Sequence, residues 1–288
     1  MSNQEAFRKR AALLTELHEI VQAMKNVAAA ELLRLTRERQ TLKQALGAVA
    51  GGLARCSEMH PLDVTPPPHT ARASWLVIGA ERGFCGTFNA RLLQDMQALL
   101  DADPQAHVLL ASRRMGDHFA DHPGDHLGDH LDPADGRYVI MPGCAAVEDA
   151  AAALDCWLPA LEAEARDGRT IWMLHTADQG FARRRLLPVP DLTGIVPEPA
   201  MQGTSGPPAH YLRAPVLRTA LRQQAFRLLV QAALYESLEH ENRSRLTQMQ
   251  LAHEHLDRLG QALRQRQATQ RQADITNELE TLTSVLAR

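Results

Sequence analysis

The 288-residue sequence predicts an α/β protein: a long antiparallel coiled coil of N- and C-terminal helices plus a central Rossmann-like α/β domain. Three observations predict it. Residues 2–60 and 216–288 lack proline and carry apolar residues at steps of three, four and seven. The centre alternates short apolar runs with helical stretches. The apolar content, 45% of residues, is mainly Ala and Leu, and only 4% are aromatic, which favours helices over β-sandwiches.

The N-terminal helix is expected over residues 1–58. Leu13, Leu17, Ile20, Met24 and Val27 step by four and three. Leu35, Leu42 and Val49 continue at seven, with Leu46 and Leu53 between them. This is a heptad-like stripe on a helix that would be roughly 80 Å long. Residues 59–71, rich in proline, read as a linker. The central α/β domain is expected over 72–196. Trp75–Ile78, His107–Ala111, Tyr138–Met141 and Arg169–Leu174 read as strands, and Phe88–Leu100 and Ala145–Arg166 as helices. Strands alternating with helices imply a largely parallel sheet. A second linker is expected over 197–211 and a C-terminal helix over 212–288. There Met249, Leu256 and Leu263 step by seven, and Ile275, Leu279, Leu282 and Leu286 step by four and three. Two long amphipathic helices at the termini pair most simply as an antiparallel coiled coil. A helical bundle kinked at Gly51–Gly52 and Gly260 is the plainer alternative.

The net charge of −3 hides an asymmetry: residues 1–58 carry +3, 213–288 carry +3, and the middle carries −9. Basic ends can meet nucleic acid or an acidic protein partner. No stretch of about 18 uncharged apolar residues is present, so no membrane span is expected. The N-terminus reads as neither a signal nor a transit peptide. Cys56, Cys85, Cys144 and Cys156 form no CxxC pair and read as reduced thiols.

Few motifs carry chemistry. Strand Trp75–Ile78 leads into GAERGFCGTFNARLL, where a strand, a glycine turn and a helix start can cradle a phosphate. Gly83 and Gly86 do not complete GxGxxG, however, and a tight turn at the top of a sheet is the plainer reading. Asp-His pairs recur every four residues from Asp117–His118 to Asp129–His130. On one helix such histidines could chelate zinc or nickel. Pro123, Gly124 and Gly128 oppose that helix, so the segment reads as an expanded repeat in a solvent loop with, at most, adventitious metal affinity. No GxSxG or HExxH occurs, and Arg183–Arg185 reads as a solvated charged face.

Four segments in one order carry a resemblance. Gln22–Ala30 (QAMKNVAAA) resembles the N-terminal signature, and Glu81–Asn89 (ERGFCGTFN) the middle-domain segment, of the gamma subunit of F-type ATP synthases. Glu236, Ser237, Glu241, Arg245 and Met249 match a third pattern of that family, and Arg271–Leu279 (RQADITNEL) its closing one. Departures are Asn26 for Met, Glu31 for Lys, Glu81 for Asp, His255–Leu256 for Asn-Ala, and the added Asp-His loop. They look like a divergent branch, such as the gamma subunit of a second ATPase operon.

The resemblance implies a central rotor stalk, whose paired termini turn as an axle inside a ring of alpha and beta subunits. The epsilon subunit and the c-ring of the membrane sector would be further partners, and nucleic acid would not. It implies no catalytic residue, cofactor or metal in this chain. The chain would be a peripheral subunit, at the cytoplasmic face of the bacterial inner membrane, of an ATP synthase or ATPase coupled to H⁺ or Na⁺. Arg271, Gln272, Thr276 and Glu278 would make polar contacts with loops of the ring, Leu279 would lie in its bearing, and Met24 would lie near the same interface. Two other readings rest on the residues alone: a non-catalytic coiled-coil scaffold, and a metal- or small-molecule-binding α/β protein with helical arms.

Overall fold

The structure, a computed structural model, describes residues 3–59, 72–121, 137–177, 180–190, 192 and 211–286. The linker at 60–71, most of the Asp-His repeat and most of the second linker lie outside the described residues. Helix α1 spans Asn3–Met59 and helix α5 spans Ala214–Leu286. Between them come strand β1 (Ala73–Ile78), α2 (Phe88–Ala102), β2 (His107–Ala111), α3 (Arg113–Asp121), β3 (Tyr138–Met141), α4 (Ala150–Arg166), β4 (Thr170–Ala177) and β5 (Gly180–Leu187). Both long helices are continuous through the glycines at which the alternative reading set kinks, Gly51–Gly52 in α1 and Gly260 in α5.

The chain divides into two compact units. One holds residues 30–244; the other holds residues 1–29 and 245–288.

In the larger unit a five-stranded sheet has the order β3-β2-β1-β4-β5. β1 pairs in parallel with β2 and β4, β2 with β3, and β5 closes the edge antiparallel to β4. Alternate side chains point to opposite faces. Trp75 and Val77 of β1, with Val108, Leu110 and Leu174, pack against Leu92, Met96 and Leu99 of α2 and Met115 of α3. On the other face Leu76, Ile78, Leu109, Ile171 and Met173 share one cluster with Trp157 and Leu161 of α4. Leu35, Leu42 and Leu46 of α1 and Phe226, Leu229, Val230 and Leu234 of α5 belong to the same cluster. The heptad stripe of α1 therefore serves two partners here, α5 and the sheet. The helices run antiparallel in this unit: the Cys56 thiol lies by the Ala214 carbonyl, Arg218 donates to the Cys56 carbonyl, and Arg39 pairs with Glu239.

The smaller unit has a thin core. Ala28 and Met249 are the buried apolar residues among its described ones, whereas Leu13, Leu17, Ile20 and Val27 are exposed. The same stripe that is sealed at Leu35–Leu46 is thus left largely in water nearer the N-terminus. No described helix is long and apolar enough to cross a membrane.

Candidate functional site: the exposed end of α5

The smaller unit is an antiparallel pair whose register is set by His18, which lies against His253 and Asp257, with ring centroids of the two histidines 4.1 Å apart. At equal rise per residue, α1 reaches its first described residue, Asn3, opposite about residue 270 of α5. Beyond that point α5 has no partner helix among the described residues. From Arg264 to Asn277 every residue is exposed.

This stretch contains neither proline nor glycine after Gly260 and is rich in good helix formers such as Gln, Arg and Ala. Gln270 donates to Asp274 at 3.0 Å, and the Thr276 and Thr283 hydroxyls donate to the carbonyls of Gln272 and Leu279 at 3.0 Å. At about 100° per residue, Ile275, Leu279 and Leu282 fall within an arc of about 60°. Their exposures are 50, 58 and 59%. Gln272 and Thr276 border one side of this stripe; Arg271 and the backbone position of Glu278 border the other. The side chain of Glu278 lies outside the described set. Arg271 has no ion pair among the described residues. The result is an apolar strip edged by a fixed cation and amide donors, the arrangement that an apolar sleeve with polar loops can grip and release.

The sequence-predicted residues are not all brought together. Arg271, Gln272, Thr276, Glu278 and Leu279 share two turns of α5. Met24 is half-buried on α1, and the register sets it more than 20 residues, or about 30 Å, along the pair from Arg271.

The ERGFCGTFN segment does structural work in the larger unit. Phe84 and Gly86 both take left-handed backbone conformations, φ 62° and 63°, so the turn is tight. Asn89 brackets its start: its Oδ1 accepts from the Ala80 N–H at 2.8 Å and its Nδ2 donates to the Ala80 carbonyl at 3.0 Å. The Ser244 hydroxyl of α5 donates to the Cys85 carbonyl at 2.7 Å. The motif thus fastens the end of β1 to the long helix, a role that sequence spacing alone did not single out.

The sequence model of the family described as ATP synthase matches residues 3–285. The chain is 33% identical over 95 residues to the ATP synthase gamma chain of Geobacter sp. (strain M21), covering 32% of this chain and 33% of that protein. It is 27% identical over 124 residues to the gamma chain of Heliobacterium modesticaldum, covering 41% and 42%. These matches span less than half of the relatives' length. In fold, the chain is similar to a chain in the rotor of the Euglena gracilis mitochondrial ATP synthase, with a TM-score of 0.55 at 15% identity, over 94% of this chain and 98% of that one. It is also similar to a chain in the central stalk and c-ring of the Tetrahymena thermophila mitochondrial enzyme, with a TM-score of 0.52 at 17% identity, over 81% and 99%. With a family match running nearly end to end, and with long terminal helices around a mixed sheet, the chain belongs to the gamma family of ATP synthase subunits.

Proposed function

We propose that this chain is the central rotor stalk of a rotary ATP synthase or ATPase, transmitting rotation between a membrane sector and a catalytic ring. The observation that carries this reading is the overhang of α5. An apolar strip left in water costs roughly 25 cal/mol per Å², and Ile275, Leu279 and Leu282 are more than adequately exposed to be sleeved by another body. Arg271, Gln272, Thr276 and Glu278 would make the breakable polar contacts with the ring, and Leu279 the bearing contact; Met24 would meet the ring lower down the pair. The alpha and beta subunits, the c-ring and the epsilon subunit are the partners this reading requires, with the complex attached to the cytoplasmic face of a bacterial inner membrane. The middle domain, 72–196, would sit outside the ring, and 1–58 with 212–288 would form the axle. Catalysis belongs to the ring, so the chain alone should not turn over ATP.

The test is to co-express the chain with the alpha and beta subunits of its own organism and to purify by a tag on the chain. A stable complex with ATPase activity, lost when the chain is truncated after Ala268 although the complex still assembles, supports the reading. Failure of the full-length chain to form any complex with these subunits overturns it.

A further inference from the structure

We propose that His18, His253 and Asp257 form a divalent transition-metal site that cross-links α1 to α5. His253 and Asp257 are four residues apart and so share a face of α5. His18 comes from α1. The His18 Nδ1 lies 3.8 Å from one carboxylate oxygen of Asp257, and the His253 Nε2 lies 3.8 Å from the other. One donor atom from each of the three residues lies within 4.8 Å of the others. Donors on one tetrahedral zinc ion at about 2.0–2.2 Å are separated by about 3.3–3.6 Å, so the side-chain tips need to close by roughly 1 Å to form the site.

The ordinary alternative is a pair of solvated His–Asp contacts, and the geometry argues against it. A separation of 3.8 Å is too long for a hydrogen bond, so Asp257 bonds directly to neither ring. The two imidazoles lie against one another, with centroids 4.1 Å apart, so nitrogens from both helices reach the same spot. A shared dication would engage the His18 Nδ1, the His253 Nε2 and the carboxylate at once. Two imidazole nitrogens and one carboxylate oxygen, with further positions open to water, suit Zn²⁺, Co²⁺ or Ni²⁺ rather than Ca²⁺ or Mg²⁺. Side-chain exposures of 37% for His18, 26% for His253 and 54% for Asp257 leave an entry path. The position also has a use. This part of the helix pair buries little apolar surface, with Leu13, Leu17, Ile20 and Leu259 all exposed, so a metal bridge would supply an inter-helix tie that packing does not.

The experiment uses the full chain, with His118, His122, His126 and His130 replaced by Asn to silence the Asp-His repeat. Zn²⁺ is titrated against a chelating indicator, and Co²⁺ is added separately to read visible d–d absorption. One equivalent should bind, with a Co²⁺ spectrum of nitrogen and oxygen ligation and a Zn²⁺-dependent rise in the thermal midpoint. His18→Asn and His253→Asn, made singly in this background, should each weaken Zn²⁺ binding at least tenfold and abolish the midpoint rise. Absence of a stoichiometric site overturns the proposal. So does a site weakened by His253→Asn but not by His18→Asn, since that metal would be held by α5 alone.

Discussion

The Glu31 carboxylate of α1 accepts the backbone N–H of Val147 at 2.9 Å, and Val147 opens the short 3₁₀ turn Val147–Asp149 that leads into α4. Glu31 is 7% exposed. Arg34, one turn further along α1, approaches Glu31 and pairs with Glu148 of the same turn. At this position the resemblance leads one to expect Lys. The exchange to Glu is therefore matched by a local acceptor role, since a free N–H at the start of a helical turn calls for negative charge.

Glu31→Ala should accordingly cost about 1–3 kcal/mol, the loss of a hydrogen bond to a charged acceptor at a half-buried donor. Glu31→Lys should cost more, because it adds a second cation beside Arg34 as well. Glu31→Gln, which keeps an acceptor oxygen, should cost least. Urea midpoints of the three variants give this order directly, and a Lys variant as stable as the parent would refute it.

On the proposed rotor reading, replacing Arg271 and Gln272 in the exposed stretch of α5 together by Ala should lower ATP turnover of the assembled complex several-fold while assembly persists. Charge-assisted contacts of this type are worth about 1.5–3 kcal/mol each. Leu279→Asp should instead impair assembly, since it sets a charge in the middle of the apolar strip. Subunit stoichiometry and ATPase rate, measured on the same preparations, separate the two effects.

His175 gives a pH dependence with a definite sign. It is fully buried on β4, with its Nδ1 3.0 Å from the Thr176 carbonyl. Burial lowers its pKa below 6.5. The Thr176 carbonyl and Glu236 oppose the shift, and Arg184 and His240 reinforce it. The unfolded chain thus binds a proton that the folded chain refuses, so stability is fully present above the unfolded value and is lost as pH falls below about 6.5. The loss should approach about 1.4 kcal/mol per pH unit. Urea unfolding at pH 7.5 and 5.5 should show a smaller difference for His175→Gln than for the parent.

The four cysteines should react very unevenly. Burial pushes the Cys144 thiol up to about 12, and its S–H donates to the Ala146 carbonyl at 3.1 Å. Cys56 and Cys85 are also buried, whereas Cys156 is exposed. Because the thiolate is the reactive form, a thiol reagent at pH 8 should label one site quickly, and Cys156→Ser should remove that fast phase. The remaining thiols should react at the rate of unfolding.

The sheet was legible in the sequence wherever a strand is a short apolar run: β2 and the edge strand β3 coincide with the runs that predict them, and β1 and β4 differ only at their ends. β5 was not. Its Arg183–Arg185 run reads as a solvated surface, yet it pairs with β4 at the edge of the sheet, where charge is tolerated and discourages further strand addition. α3 was hidden because it runs into the Asp-His repeat, whose prolines and glycines dominate the reading. The exposure of Leu13, Leu17 and Ile20 was also illegible, because a heptad stripe says which face is apolar but not what covers it. The His18–His253–Asp257 cluster lay beyond reach for a related reason: its register joins two segments more than 230 residues apart.

The sheet face that shares its core with Phe226, Leu229 and Leu234 has a consequence for how the protein must be made. The last strand ends at Leu187, but the cluster covering Leu76, Leu109 and Met173 extends to Leu238. Translation proceeds at about 5–20 residues per second, so the fifty or so residues between them take roughly 3–10 s to emerge. Throughout that interval part of a finished apolar sheet has no lid. The nascent chain is therefore most vulnerable to aggregation late in synthesis, and a messenger that slows decoding between codons 188 and 238 should reduce the yield of folded protein more than one that slows it within α1.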